Sequence, residues 1–194
     1  MQPGRSHNKG NSFQNYIAKL LSLWLTHNKR ADVLDSSPGS GAKATAHRKA
    51  GRSMSSIEGD LIAVSPEGYH LTEQFVLELK HQNATNLNTE NLVFKTSNQG
   101  ITSYWQILLD ICQANRKLPI LIFRQNNRAI QLCLCKEGIE KFQCQAHVHL
   151  MVKLPNKNLY MVDFNIFLKH VNPACLSPVS AKPKITKIKL NRQV

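Results

Sequence analysis

The segment Gln74–Lys80 reads QFVLELK, with apolar side chains at every second position on one side. A period of two is the mark of a strand, because successive strand side chains point to opposite faces of a sheet. Phe75, Leu77 and Leu79 therefore share one face, and Val76, Glu78 and Lys80 share the other. The fold must contain a sheet that carries an acid and an amine side by side.

Around this strand the pattern alternates between periods. Phe13, Ile17, Leu20, Leu21 and Trp24 form the stripe of an amphipathic helix, expected over roughly 11–26. Ile101, Trp105, Leu108, Leu109 and Cys112 repeat that spacing in a second helix. Strands are expected at Asp60–Ser65, joined to 74–80 through a Pro66-Glu67-Gly68 turn, and at Pro119–Arg124, which is apolar enough to be central. Ala129–Cys135 returns as its hairpin partner across Asn126-Asn127, and a further hairpin runs from His147–Leu154 to Leu159–Asp163, followed by a helical turn near Phe164–His170. This order describes an α/β fold, a mixed central sheet flanked by helices with an additional C-terminal β-hairpin. One domain is expected over residues 1–172, with a basic tail at 173–194 whose end, KPKITKIKLNRQV, has five cations and no acid.

Charge narrows the partners. Lys and Arg total 25 against 12 Asp and Glu, a formal charge of +13, which suits a polyanion, and nucleic acid first. Anionic lipid would suit the charge too, but no apolar run approaches the ~18 residues of a membrane span. The polar start, Met1 to Gly10, lacks the apolar core of a secretion signal, so an intracellular location is expected. Five cysteines in the second half, Cys112, Cys133, Cys135, Cys144 and Cys175, do not form a disulfide framework. The stretch 36–56 (SSPGSGAKATAHRKAGRSMSS) carries Lys43, Arg48, Lys49 and Arg52 and no acid, and reads as a mobile basic loop.

The residues that carry chemistry are Asp60, Glu78 and Lys80, with seventeen residues between the two acids. Hard carboxylate oxygens in a pair are what Mg²⁺ requires, and a neighbouring ammonium adds positive charge where a phosphodiester is attacked. The plain alternative is a cross-strand surface ion pair on a hairpin. Cys133, Cys135, Cys144, His147 and His149 hold zinc-ligand chemistry, but their spacing matches no common zinc module and the first two alternate with Leu132 and Leu134 as core residues do. Trp24 and Trp105 sit on the apolar stripes of their helices and are expected in the core rather than on nucleic-acid bases.

Lys9-Gly10, Ser37-Pro38-Gly39-Ser40-Gly41, Gly59-Asp60, Glu78-Leu79-Lys80 and Trp105-Gln106 occur in this order over roughly residues 9–168. In this the chain resembles the PD-(D/E)xK nuclease superfamily, and more closely the archaeal Holliday-junction resolvases and small resolvase-like endonucleases of bacteriophages. The resemblance implies a restriction-endonuclease-like αβββαβ core and a metal-dependent DNA endonuclease, acting on branched DNA as a homodimer. It implies Mg²⁺, with Mn²⁺ as substitute, held by Asp60, Glu78 and the Leu79 backbone carbonyl, with Lys80 as the catalytic lysine and no small-molecule cofactor. Where members carry an acid on the first helix this chain has Gln14, a further metal-ligand candidate without charge. Ser37, Ser40, Lys43, Arg48, Lys49 and Arg52 are then the candidate DNA contacts in the loop, with His81 after the strand and Gln106 on the second helix. The competing hypothesis is a DNA-binding or assembly module that keeps the fold without the activity.

Overall fold

A computed structural model describes residues 4–37, 59–82, 100–143, 152–154 and 159–176. Most of the basic loop, Cys144, His147, His149 and the chain beyond 176 lie outside the described residues.

Helix α1 (Gly4–Leu25) begins earlier than the stripe does and buries Phe13, Ile17, Leu21 and Trp24 as its spacing requires. Strands β1 (Leu34–Ser36) and β2 (Leu61–Ala63) pair antiparallel as a separate two-stranded sheet. With three residues, β1 is too short to show any alternation in sequence.

The expected turn at Pro66-Glu67-Gly68 is instead the first turn of helix α2 (Pro66–Thr72). Pro needs no N–H partner at a helix start and its φ is already helical, while Glu67 faces the positive end of the helix. Ser65 is the N-cap residue, and its hydroxyl donates to Glu67 (2.8 Å). Leu71 is driven into the core. Consequently β2 and the alternating strand β3 (Phe75–Gln82) are not a hairpin, and β3 belongs to a different sheet.

Helix α3 (Ile101–Asn115) is the crossover that a parallel pair needs. It delivers the chain into β4 (Leu118–Gln125), parallel to β3 with Glu78 beside Leu121 and Lys80 beside Phe123. β5 (Gln131–Cys135) returns antiparallel to β4, as expected, through a turn in which Asn127 takes a φ of 60°. A short helix α4 (Lys136–Lys141), not foreseen from sequence, follows at once, with the Gly138 N–H donating to Cys135 Sγ. β6 (Val152–Leu154) and β7 (Leu159–Asp163) form the last antiparallel pair, and the sheet order is β3-β4-β5-β7-β6. Asp163 accepts the N–H groups of Asn165 and Ile166 and so starts helix α5 (Phe164–His170). Pro173–Leu176, assigned from composition to the tail, forms a 3₁₀ helix with Leu176 buried.

The alternation in β3 divides the core. Phe75, Leu77 and Leu79 join α1, Ile120 and Ile122 in one apolar layer, while Val76 joins Ile101, Trp105, Leu108, Leu121, Phe123 and Cys133 under α3. The fold is therefore α/β, a mixed central sheet with helices on both faces. The order α1-β1-β2-β3-α3-β4, with α2 inserted, is an αβββαβ core, and β6-β7 is the extra hairpin.

Phe75, at the start of β3, stacks on Phe142 with centroids 4.7 Å apart, and Phe167 and Trp24 complete an aromatic group. Trp24 also donates its indole N–H to the Val171 carbonyl (2.8 Å). This anchors one end of β3, and Glu78 and Lys80 occupy the other.

Candidate active site

Asp60 reaches β3 through backbone geometry rather than strand pairing. Gly59 adopts a φ of 86°, a region closed to most side chains, and a Cβ on it would lie 2.6 Å from the Leu77 carbonyl oxygen. Only a glycine lets the chain pass so close. The Asp60 N–H then donates to the Leu77 carbonyl (2.7 Å), and the Ser37 N–H donates to the Asp60 carbonyl (2.8 Å).

The carboxylate of Asp60 is held at both oxygens. Leu79 N–H donates to Oδ2 (2.7 Å), and the Gln14 side-chain amide donates to Oδ1 (2.9 Å). Gln14 is nearly buried on α1, one residue after Phe13, so a polar side chain sits at the rim of an apolar stripe with Asp60 as its partner. Because the N–H and C=O of a strand residue point to the same side, the Leu79 carbonyl also faces the edge of β3 where Asp60 lies.

On the α3 face Glu78 and Lys80 form an ion pair. Their side chains retain 21% and 23% exposure, so the centre is recessed but open. The Lys80 ammonium lies 5.0 Å from the centre of the Tyr104 ring, and Gln82 donates its amide to the Tyr104 hydroxyl (2.8 Å).

These contacts set the charges. Burial, and next the charge of Glu78, push the Asp60 carboxyl up to about 6, against the opposing effects of the Leu79 N–H and of Lys80. For Lys80 burial disfavours the ammonium, but Glu78, then Asp60 and Tyr104, outweigh it and hold its pKa above the ordinary value. Two carboxylates thus share a half-buried corner with one cation, and a further cation would relieve their repulsion.

The structure brings Asp60, Glu78, Lys80, Leu79 and Gln14 together. Ser37 is also present, but buried, with its backbone holding Asp60. His81 turns to the α1 face and packs on Phe13, ring centroids 5.2 Å apart. Gln106 is exposed, with its amide 3.3 Å from Asp110. It lies two residues past Tyr104, about 200° around the helix, and so points away from the side that faces Lys80. Ser40, Lys43, Arg48, Lys49 and Arg52 fall outside the described residues.

Sequence reasoning passed over Tyr104. Its signal was its place on the flank of the apolar stripe, three residues after Ile101 and four before Leu108, which aims it at the sheet. Trp24 and Trp105 are core residues, as expected. Cys133 and Cys135 are buried in the layer under α3, and burial raises both thiols, Cys135 to about 12, so they are protonated core side chains rather than thiolates.

The profile of a family described as phage putative PDDEXK endonuclease matches residues 5–174, most of the chain. No curated protein and no solved structure matches significantly.

Proposed function

Because the chain belongs to this family, we propose that it is a divalent-metal-dependent DNA endonuclease with Asp60, Glu78 and Lys80 as its catalytic residues. The observation that carries this is the half-buried approach of the Asp60 and Glu78 carboxylates beside a charged Lys80. A surface ion pair would not require a left-handed glycine, a buried glutamine and a main-chain N–H to aim one carboxylate.

The donor set suits a hard cation such as Mg²⁺, with Mn²⁺ as substitute: two carboxylates, the Leu79 carbonyl and room for water. Among the described residues no group of three His, Cys, Asp or Glu side chains converges. Bound there, the cation would acidify an attacking water and offset the charge that builds on the scissile phosphate. Gln14 presents its amide nitrogen to Asp60 and serves first to orient that ligand. The Lys80 ammonium would donate hydrogen bonds to the attacking water and to a phosphate oxygen, which fixes the line of attack. The net charge of +13 would draw DNA to an otherwise acidic centre.

Branched DNA as the preferred substrate, a homodimeric assembly and DNA contacts from the basic loop complete the proposal and rest on the resemblance, and an intracellular setting is where such a nuclease would meet its DNA. Among the described residues no helix is long and apolar enough to cross a membrane. The test is Mg²⁺-dependent cleavage of matched four-way junction, flap, single-stranded and linear duplex DNA. Cleavage of junction or flap in preference to duplex supports both the nuclease activity and its branched-DNA preference, cleavage of duplex alone removes the branched-DNA part, and tight binding without cleavage in Mg²⁺ or Mn²⁺ overturns the proposal in favour of a binding module.

Two further outcomes follow from the geometry. Gly59→Ala forces β3 and the Asp60 segment apart, and a displacement near 1 Å is expected to slow cleavage by about 10²-fold. The rate should fall while a thermal melt still reports a folded protein. Gln14→Leu removes the amide donor to Asp60 Oδ1 and is expected to weaken Mg²⁺ activation by about tenfold, read from the Mg²⁺ concentration that gives half-maximal rate.

A further inference from the structure

Glu78 has two demands on one side chain. In the structure its carboxylate pairs with the Lys80 ammonium, yet in the proposed reaction the same carboxylate binds a divalent cation, whose charge repels that ammonium. Lys80 then needs a contact that does not change when Glu78 turns to the metal. The Tyr104 ring is such a contact. It lies 5.0 Å from Lys80 Nζ, within the ~6 Å over which a ring face attracts an ammonium.

The ring is itself fixed from two sides. Tyr104 sits in the first turn of α3, between Ile101 and Trp105, both buried on the sheet, and its backbone N–H donates to the Gly100 carbonyl (3.2 Å). Its hydroxyl accepts from Gln82 (2.8 Å), two residues after Lys80 on the same face of β3. The row Glu78, Lys80, Gln82 on one strand face is thereby tied to one aromatic side chain on the helix above it.

We propose that Tyr104 is a positioning residue of this endonuclease: its ring holds the Lys80 ammonium at the reacting phosphate while Glu78 is engaged with the metal, and Gln82 keeps the ring in place. This rests on the assignment of Lys80 to catalysis. It predicts that the ring face matters most and the hydroxyl less, because Phe preserves the face and loses only the anchor.

The test joins a spectroscopic measurement on the metal-free protein to cleavage kinetics. With selectively ¹³C-labelled lysine, and Lys80 assigned by its absence in Lys80→Ala, the Lys80 ε-methylene is expected upfield of the other lysines, as protons over an aromatic face are. The displacement should persist in Tyr104→Phe and vanish in Tyr104→Leu. In Mg²⁺, Tyr104→Leu is expected to lower kcat by about 30-fold with little change in KM for DNA, and Tyr104→Phe to recover most of that loss. An unshifted Lys80 signal in the wild-type protein overturns the proposal without recourse to any variant. So does a Tyr104→Leu enzyme within twofold of wild type, or a Phe variant as slow as the Leu variant. If Lys80→Ala itself cleaves at the wild-type rate, the assignment of Lys80 fails, and this inference fails with it by a separately visible route.

Discussion

Lys80→Ala is expected to lower the rate of DNA cleavage by about 10²- to 10³-fold while DNA affinity, measured without metal, changes by no more than a few-fold. The ammonium is one among 25 basic residues for attraction of DNA, but its pairing with Glu78 and its position over Tyr104 give it a fixed place beside the carboxylates. Positive charge that is already in position costs no reorganisation as the reaction proceeds, and bulk charge elsewhere cannot substitute for it. Removing it also removes a cation that competes for Glu78, so stabilisation of the protein by Mg²⁺ should be kept or increased. A variant that loses DNA binding in parallel with cleavage would reassign Lys80 to substrate attraction.

The second large effect concerns Asp60→Asn. Cleavage should fall by at least about 10³-fold, and the rise in melting temperature on adding Mg²⁺ or Mn²⁺ should disappear. Without metal the same substitution should stabilise the fold at neutral pH. The Asp60 carboxyl titrates at about 6 in the folded protein, above its ordinary value near 3.8. Below about pH 4 it is protonated whether the chain is folded or not, and its contribution is fully present. As pH rises through the folded value that contribution is lost, up to about 3 kcal/mol by neutral pH. Asparagine has no such loss, and Gln14 can turn its amide to match it. In EDTA, the melting temperature of Asp60→Asn relative to wild type should therefore climb between about pH 4 and 7. A constant difference across that range would show that burial and Glu78 do not strain Asp60.

How far the sequence revealed this follows from where the information lies. The face assignment of Phe75, Leu77 and Leu79 against Val76, Glu78 and Lys80 was legible because a period of two leaves one solution. The Phe13–Trp24 and Ile101–Cys112 stripes were legible for the same reason at a period near 3.6. Pro66-Glu67-Gly68 misled, since Pro followed shortly by Gly signals a turn as readily as a helix start, and the choice was made by Leu71 finding a core to enter. That Asp60 approaches Glu78 could be expected, but the means could not: a left-handed Gly59 and hydrogen bonds from Leu79 and Gln14 are tertiary facts without a local pattern. Tyr104 was hidden by its neighbour Trp105, whose burial explains the helix stripe and leaves its companion unremarked.

The attachment of Asp60 to β3 has a consequence for solubility as well as for chemistry. Among the described residues β3 is the outermost strand of its sheet, and an outer strand with unpaired N–H and C=O groups is a template on which another chain can add and begin to aggregate. Here the Leu77 carbonyl is taken by the Asp60 backbone and the Leu79 N–H by its carboxylate, so the segment that supplies the acid also seals the strand against strangers. Variants that loosen this segment, Gly59→Ala foremost, should therefore betray themselves by self-association on storage, which light scattering would detect apart from any assay of DNA cleavage.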